Sequence, residues 1–238
     1  MLNGHDVICF ASQAWGSHWC TPQQTASRLA QGVRVLDVEP PRSPLWRGRR
    51  APTQSNERAG PPREVQLNLW VLTMPAVFAP MALYRHMPWL RRWNNRLMGR
   101  YVRAASDELA LIDPVAWIYL ITYQGAPILK DAPLSVYDCI DEWAGGTEDP
   151  SLQRFFAGLD ERLCRESDVL FAGSRLLAEA RRELNTCQRL VPQGVDLAHF
   201  LPPRPGTPRP EDLAALPRPV LGLVGVLNRE RVDVPLLC

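Results

Sequence analysis

The sequence predicts a doubly wound α/β domain, in which a mostly parallel sheet is covered by helices on both faces. Three observations carry that expectation. Short apolar runs rich in β-branched residues recur along the 238-residue chain, and continuous apolar runs are how strands buried on both faces read. Amphipathic segments of helical period alternate with them. The first about forty residues already run strand, loop, helix, strand, which opens such a domain.

Taken in order, Asp6 to Ala11 reads as the first buried strand. A polar, aromatic loop from Ser12 to Pro22 precedes a helix over Gln23 to Gln31, and "VRVLDVE" after Gly32 is the second strand. Arg42 to Arg63 is rich in Pro, Arg, Gly and Ser without apolar periodicity and reads as a long loop. Val65 to Met74 reads as one strand. Pro88 to Ala105 reads as a helix with Leu90, Trp93, Leu97 and Tyr101 on its apolar stripe. Trp117 to Thr122 and Leu134 to Ile140 are further strands. Ser151 to Ser167 is a helix, Val169 to Ala172 a strand, Ser174 to Leu184 a capped helix, and Arg189 to Pro192 a last strand. The prolines between Pro202 and Pro219 read as a semi-rigid linker. Beyond it, Val220 to Val226 has the pattern of a new buried strand. The expected organisation is therefore a domain over 1–201, a linker over 202–219, and over 220–238 the first strand of a second domain.

Composition excludes several classes. A net charge of +2 is too small to imply a nucleic-acid partner. The six cysteines are scattered without C-x-x-C spacing, as expected of reduced thiols, and the four histidines show no metal-ligand pairing. The apolar run Leu69 to Tyr84 is broken by Pro75 and Pro80 and is too short to span a bilayer. The start "MLNGHDVICFAS" lacks the charged region and cleavage site of a secretory signal. A cytoplasmic protein, at most bound to a membrane surface, is expected.

In open α/β sheets ligands bind beyond the carboxyl ends of the strands. After the first strand stands "SQAWGSHWCTPQQ", which has no G-x-G-x-x-G and so argues against a nicotinamide-dependent oxidoreductase. Trp15 and Trp19, with Gly16, Ser17, His18 and Gln23 between and beside them, suit a sugar or polar lipid through stacking and hydrogen bonds. A loop whose tryptophans merely pack on the sheet would read the same way. After a later strand, Asp141 and Glu142 precede Trp143 and the pair Gly145–Gly146. Such carboxylates serve as a general base, orient hydroxyls, or cap a helix. Ser174 opens a helix whose N–H groups suit either an anion or an ordinary cap. Between Arg85 and Arg103 stand Arg91, Arg92, Arg96 and Arg100 with Trp89, Trp93 and Tyr101, and no acid. That is the pattern of a helix lying on an anionic membrane surface, or of a solvated basic helix packed through its tryptophans.

Five segments in this order, "WGSHWCTPQQTASRLAQGVRVLDVEPP", "VYDCIDEWAGG", "SDVLFAGSRLLAEARRELN", "VPQGVDLAHF" and "LGLVGVLNRERVD", resemble the N-terminal half of a family-4-like glycosyltransferase. The type is that of bacterial teichuronic-acid and exopolysaccharide biosynthesis. The resemblance implies a GT-B architecture, two Rossmann-like domains facing a cleft, with the acceptor on the N-terminal domain and a nucleotide-sugar on the other. It implies Trp15 to Gln24 as the acceptor-side loop and Asp141 as the acidic residue facing the cleft. Gly225 and Arg231 match the start of the donor-phosphate loop, where glycine permits close backbone approach and guanidinium suits phosphate oxygens. "VPQGVD" carries Gln193 where the family has Asn. No metal or other cofactor is implied, the nucleotide-sugar being a substrate. Retention at the transferred carbon is implied by the family alone. The expectation is a transferase half that is inactive alone, because catalysis needs both reactants in one cleft. The competing expectation is a non-catalytic acceptor-binding module, or one part of a split enzyme that needs a donor-domain chain.

Overall fold

The computed structural model of the chain describes residues 4–16, 19–46, 58–123, 130–197 and 199–201, and further on 206–208, 210–217, 219–220, 222–223, 232–233 and 236. The chain divides into two compact units, Met1–Gln193 and Gly194–Cys238. In the second unit the described residues include one short helix, α6 (Glu211–Ala214), inside the proline-rich stretch. Val220, Gly222 and Leu223 carry no strand, and the rest of the expected strand lies outside the described residues.

The first unit is the predicted α/β sheet. Its strands are β1 (Val7–Phe10), β2 (Val35–Val38), β3 (Arg63–Gln66), β4 (Leu69–Leu72), β5 (Val115–Ile118), β6 (Ser135–Cys139), β7 (Val169–Ala172) and β8 (Gln188–Leu190). They lie in the order β3-β4-β2-β1-β5-β6-β7-β8. Every pairing is parallel except β3 with β4. From β1 the chain steps outward through β2 to β4, then returns to β5 on β1's other side and steps outward again. The strand order thus reverses between β1 and β5, and a crevice for ligands belongs at the carboxyl end of that pair.

Buried strands explain the apolar runs. All four residues of β1 and of β2 are buried, as parallel central strands require. One face carries Val7, Cys9, Val35 and Leu69, covered by Ala26 and Ala30 at the end of α1 (Thr21–Leu29). The other carries Ile8, Phe10, Leu36, Val38 and Ile118, packed with Met98 and Val102 of α3 (Pro88–Glu108) and Leu159 and Leu163 of α4 (Pro150–Glu166). At the amino ends of the strands Asp6 accepts from Arg34 Nη2 at 2.6 Å and from the Ile112 N–H at 2.7 Å, which ties β1, β2 and the entry to β5 together.

Several expectations are corrected. Val65 to Met74 is not one strand but the far half of a hairpin. Leu67 and Asn68 make the turn, and Asn68 takes the left-handed φ of 63° that asparagine tolerates best after glycine. The helix α3 does not bury Trp93 and Tyr101, which are exposed; it buries Asn94, Asn95, Met98, Gly99, Val102 and Ala105. The Asn94 amide donates to the Ala79 carbonyl and accepts from its N–H, both at 3.0 Å, so a polar residue satisfies a core position. Finally β5 begins at Val115 and ends at Ile118, and Ile121–Tyr123 forms a 3-10 turn rather than more strand. A short helix, α2 (Met81–Tyr84), precedes α3, and α5 (Arg175–Ala180) stops short of Leu184.

Candidate functional site

The parallel order puts the loops after β1, β2, β4, β5, β6 and β7 on one rim. The loop after β1 is held from below by a strand-end carboxylate: Glu39, just past β2, accepts the backbone N–H of Trp15 at 3.0 Å. Trp15 packs on the α1-side core and meets Trp19 edge to face, with ring centroids 5.4 Å apart and planes at 79°. Gly16 between them takes a φ of 79°, which the turn requires. Trp19 is 56% exposed and presents an aromatic surface at the rim. Ser17 and His18 lie outside the described residues.

Asp141 is exposed just beyond β6. Its charge reaches the residue before α1: burial raises the Cys20 thiol above its ordinary value, and the charges of Asp141 and Asp37 raise it further.

Two proposed site residues have partners within the fold, Gln23 in its interior and Glu142 at its surface. Gln23 is fully buried; its Oε1 accepts from Cys20 N–H at 3.3 Å and from Cys20 Sγ at 2.9 Å, and its Nε2 donates to the Ala14 carbonyl at 3.5 Å. It closes the start of α1. Glu142 accepts from Arg181 Nη2 at 3.0 Å, while Arg181 Nε donates to Asp160 at 2.9 Å and the Tyr137 hydroxyl donates to Asp160 at 2.5 Å. Burial pushes the Asp160 carboxyl up, and Tyr137 and Arg181 pull it back. Ser174 accepts the Leu177 N–H at 3.2 Å and is the N-cap of α5.

Beneath the rim, on the α1 side, lies a group of buried acids that the sequence pattern concealed within strands. Asp37 faces Cys9 across β2 and β1, and among the described residues neither of its carboxyl oxygens has a hydrogen-bond partner. Burial, then the neighbouring Glu39, raises its carboxyl well above the ordinary range. Asp138 accepts from Trp117 Nε1 at 3.1 Å, and burial raises it too. Tyr119, fully buried, completes the group; burial, then Asp138, holds its phenol protonated. Glu39 was legible only as the acid that ends an otherwise apolar run.

On the other side of the sheet, the outward face of α3 carries Trp89 at 60% exposure, Trp93 at 45%, and the exposed Arg92 and Arg96. Arg91 departs from that face: it is half-buried and lines a pocket with Tyr84 and Thr122. Among the described residues no helix is long and apolar enough to cross a membrane. Gly225 and Arg231, the residues expected at donor phosphates, lie outside the described residues.

No family model and no curated protein matches the sequence. Among solved structures, the chain is similar to sucrose-phosphate synthase from Thermosynechococcus elongatus, with a TM-score of 0.57 at 12% identity, over 83% of this chain and 50% of that one. A second structure of sucrose-phosphate synthase from that organism gives a TM-score of 0.50 at 11% identity, over 81% of this chain and 91% of the other. An α,α-trehalose-phosphate synthase (UDP-forming) from Burkholderia vietnamiensis gives 0.44 at 11% identity, over 75% and 42%. The chain spans half the length of the first of these. The likeness establishes the fold: an eight-stranded, mostly parallel α/β sheet that matches a Rossmann-like domain of the GT-B architecture.

Proposed function

We propose that this chain supplies the acceptor-side wall of a glycosyltransferase that moves a hexosyl group from a nucleotide-sugar to a polysaccharide or lipid-linked saccharide. The reading is of the family-4-like type. The observation that carries it is the exposed Trp19 ring at the carboxyl rim of a doubly wound sheet, next to Cys20, whose thiol feels the charge of Asp141. Ligands bind such sheets at that rim, and the fold is shared with an enzyme named for making sucrose phosphate.

In this mechanism Trp19 stacks on the apolar face of the acceptor sugar, with Trp15 fixing its edge. Asp141 accepts the hydrogen bond of the attacking hydroxyl and takes its proton, or orients it toward the leaving phosphate. The bond between the sugar's anomeric carbon and the diphosphate breaks as the bond to the acceptor oxygen forms. Gly225 and Arg231 are proposed to contact the departing diphosphate, whose charge basic groups stabilise. Turnover requires both walls of the cleft, so the first unit without a donor-binding domain or partner chain transfers no sugar. The exposed face formed by Trp89, Trp93, Arg92 and Arg96 is proposed to rest on an anionic membrane surface.

Titration of the chain with a panel of neutral oligosaccharides, read by tryptophan fluorescence and calorimetry, tests the acceptor role. Saturable binding is expected, weakened at least about 10-fold, roughly 1.4 kcal/mol, by Trp19→Ala. Binding that Trp19→Ala leaves unchanged, or no saccharide binding at all, refutes it.

A further inference from the structure

Between the ends of β2 and β5 and the start of α3 lies a second recess, on the sheet face opposite α1. It is lined by Pro41 past β2, Phe78 past β4, Tyr84 at the end of α2, Arg91 and Asn95 on α3, and Thr122 in the turn past β5. The recess is small and open at its mouth.

Among the described residues its polar lining includes one cation, the Arg91 guanidinium, and no carboxylate. Arg91 is half-buried, and among the described residues no carboxylate pairs with it. Burial and the nearby guanidiniums of Arg162 and Arg92 disfavour the Arg91 cation. The first turns of α3 add the positive end of the helix dipole. Burial pushes the Tyr84 phenol up to about 12, so it keeps its proton and can donate, while the Thr122 hydroxyl hydrogen-bonds to the phenol itself. A cation drawn partly out of water without a counter-charge is unfavourable unless an anion completes it.

We infer that this recess is an oxyanion subsite, in which Arg91 and Tyr84 hold a phosphate or carboxylate carried by the saccharide acceptor, Thr122 steadying the phenol. Guanidinium engages either group through two parallel hydrogen bonds. The assignment of the anion to an acceptor rests on the function proposed above; the subsite itself does not. It confers preference for an acidic saccharide over its neutral counterpart, because a neutral hydroxymethyl group leaves Arg91 uncompensated.

The test uses the full chain and four probes: inorganic phosphate, glucose, glucose 6-phosphate and glucuronate, each titrated by calorimetry. Arg91→Gln and Tyr84→Phe are the variants, with circular dichroism as the control for folding. At least one charged sugar is expected to bind about 10-fold or more tightly than glucose. That preference disappears in Arg91→Gln and falls about 3-fold or more in Tyr84→Phe, which keeps the packing should Arg91→Gln fold poorly. Preference for glucose 6-phosphate alone assigns a phosphate, and preference for glucuronate a carboxylate. Arg91-dependent binding of inorganic phosphate with no sugar bound supports the subsite while removing the acceptor reading. Equal binding of charged and neutral sugars, a preference that survives both substitutions, or no binding of any probe overturns the subsite.

Discussion

Asp37 is a carboxyl group enclosed by apolar strands with neither oxygen partnered among the described residues. Burial holds its proton to a higher pH in the folded chain than in the unfolded one. The folded state therefore binds more protons above the ordinary carboxylate pKa, and stability falls as pH rises through that window. The Asp37→Asn chain cannot titrate there. Relative to it, the wild-type urea midpoint is expected to drop as pH rises above the ordinary carboxylate range; parallel pH profiles would refute the assignment. At this scale the sequence shows residue types but not commitments. Gln23 and Glu142 read as ligand-facing because their loops do, yet the partners that claim them are Cys20, three residues away, and Arg181, thirty-nine away. Periodicity carries no record of such pairings. The place of Asp141 at the rim was legible because it stands just past the end of β6.

Elements were legible where a single period holds, as in β1, β2, α4 and β7. They were misjudged where two devices share one run. In 65–74 the turn at Asn68 interrupts an apolar pattern without a glycine or proline to mark it. In α3 the buried stripe includes Asn94, Asn95 and Gly99, and a hydropathy pattern assigns those to solvent. Polar joints also decide how elements dock. Arg181, just past α5, bonds Asp160 of α4, which Tyr137 of β6 also bonds, with Glu142 joining from the loop past β6. Its side chain is 4% exposed. Arg181→Met strands the Asp160 carboxyl and is expected to destabilise the first unit by about 3 kcal/mol. Adding Asp160→Asn removes the stranded charge and should restore part of the loss in urea unfolding. A double variant no better than the single would mean that packing, not charge, is what Arg181 provides.

For the molecule as a whole, seven strands pointing one way gather the chemistry on a single rim, and that consequence was readable from the alternation of strands and helices. The place of the order reversal was not, because which strand returns beside β1 is a matter of long-range pairing. The basic, aromatic face of α3 belongs to this scale, since it acts on the protein's surroundings rather than on its core. Vesicles containing anionic phospholipid are expected to bind the chain and neutral vesicles are not. Arg92→Glu with Arg96→Glu should lower the partition at least about 10-fold, at about 1 kcal/mol for each arginine near the surface. Equal partition to neutral and anionic vesicles would remove the membrane from the account.

The clamp between Glu39 and Trp15 grips the main chain, not the indole. Whatever residue stands at position 15 offers the same N–H, proline excepted. The loop can therefore drift in sequence while keeping its place. A lineage built on this scaffold is free to try new side chains at the rim without first re-inventing the hinge that holds them there.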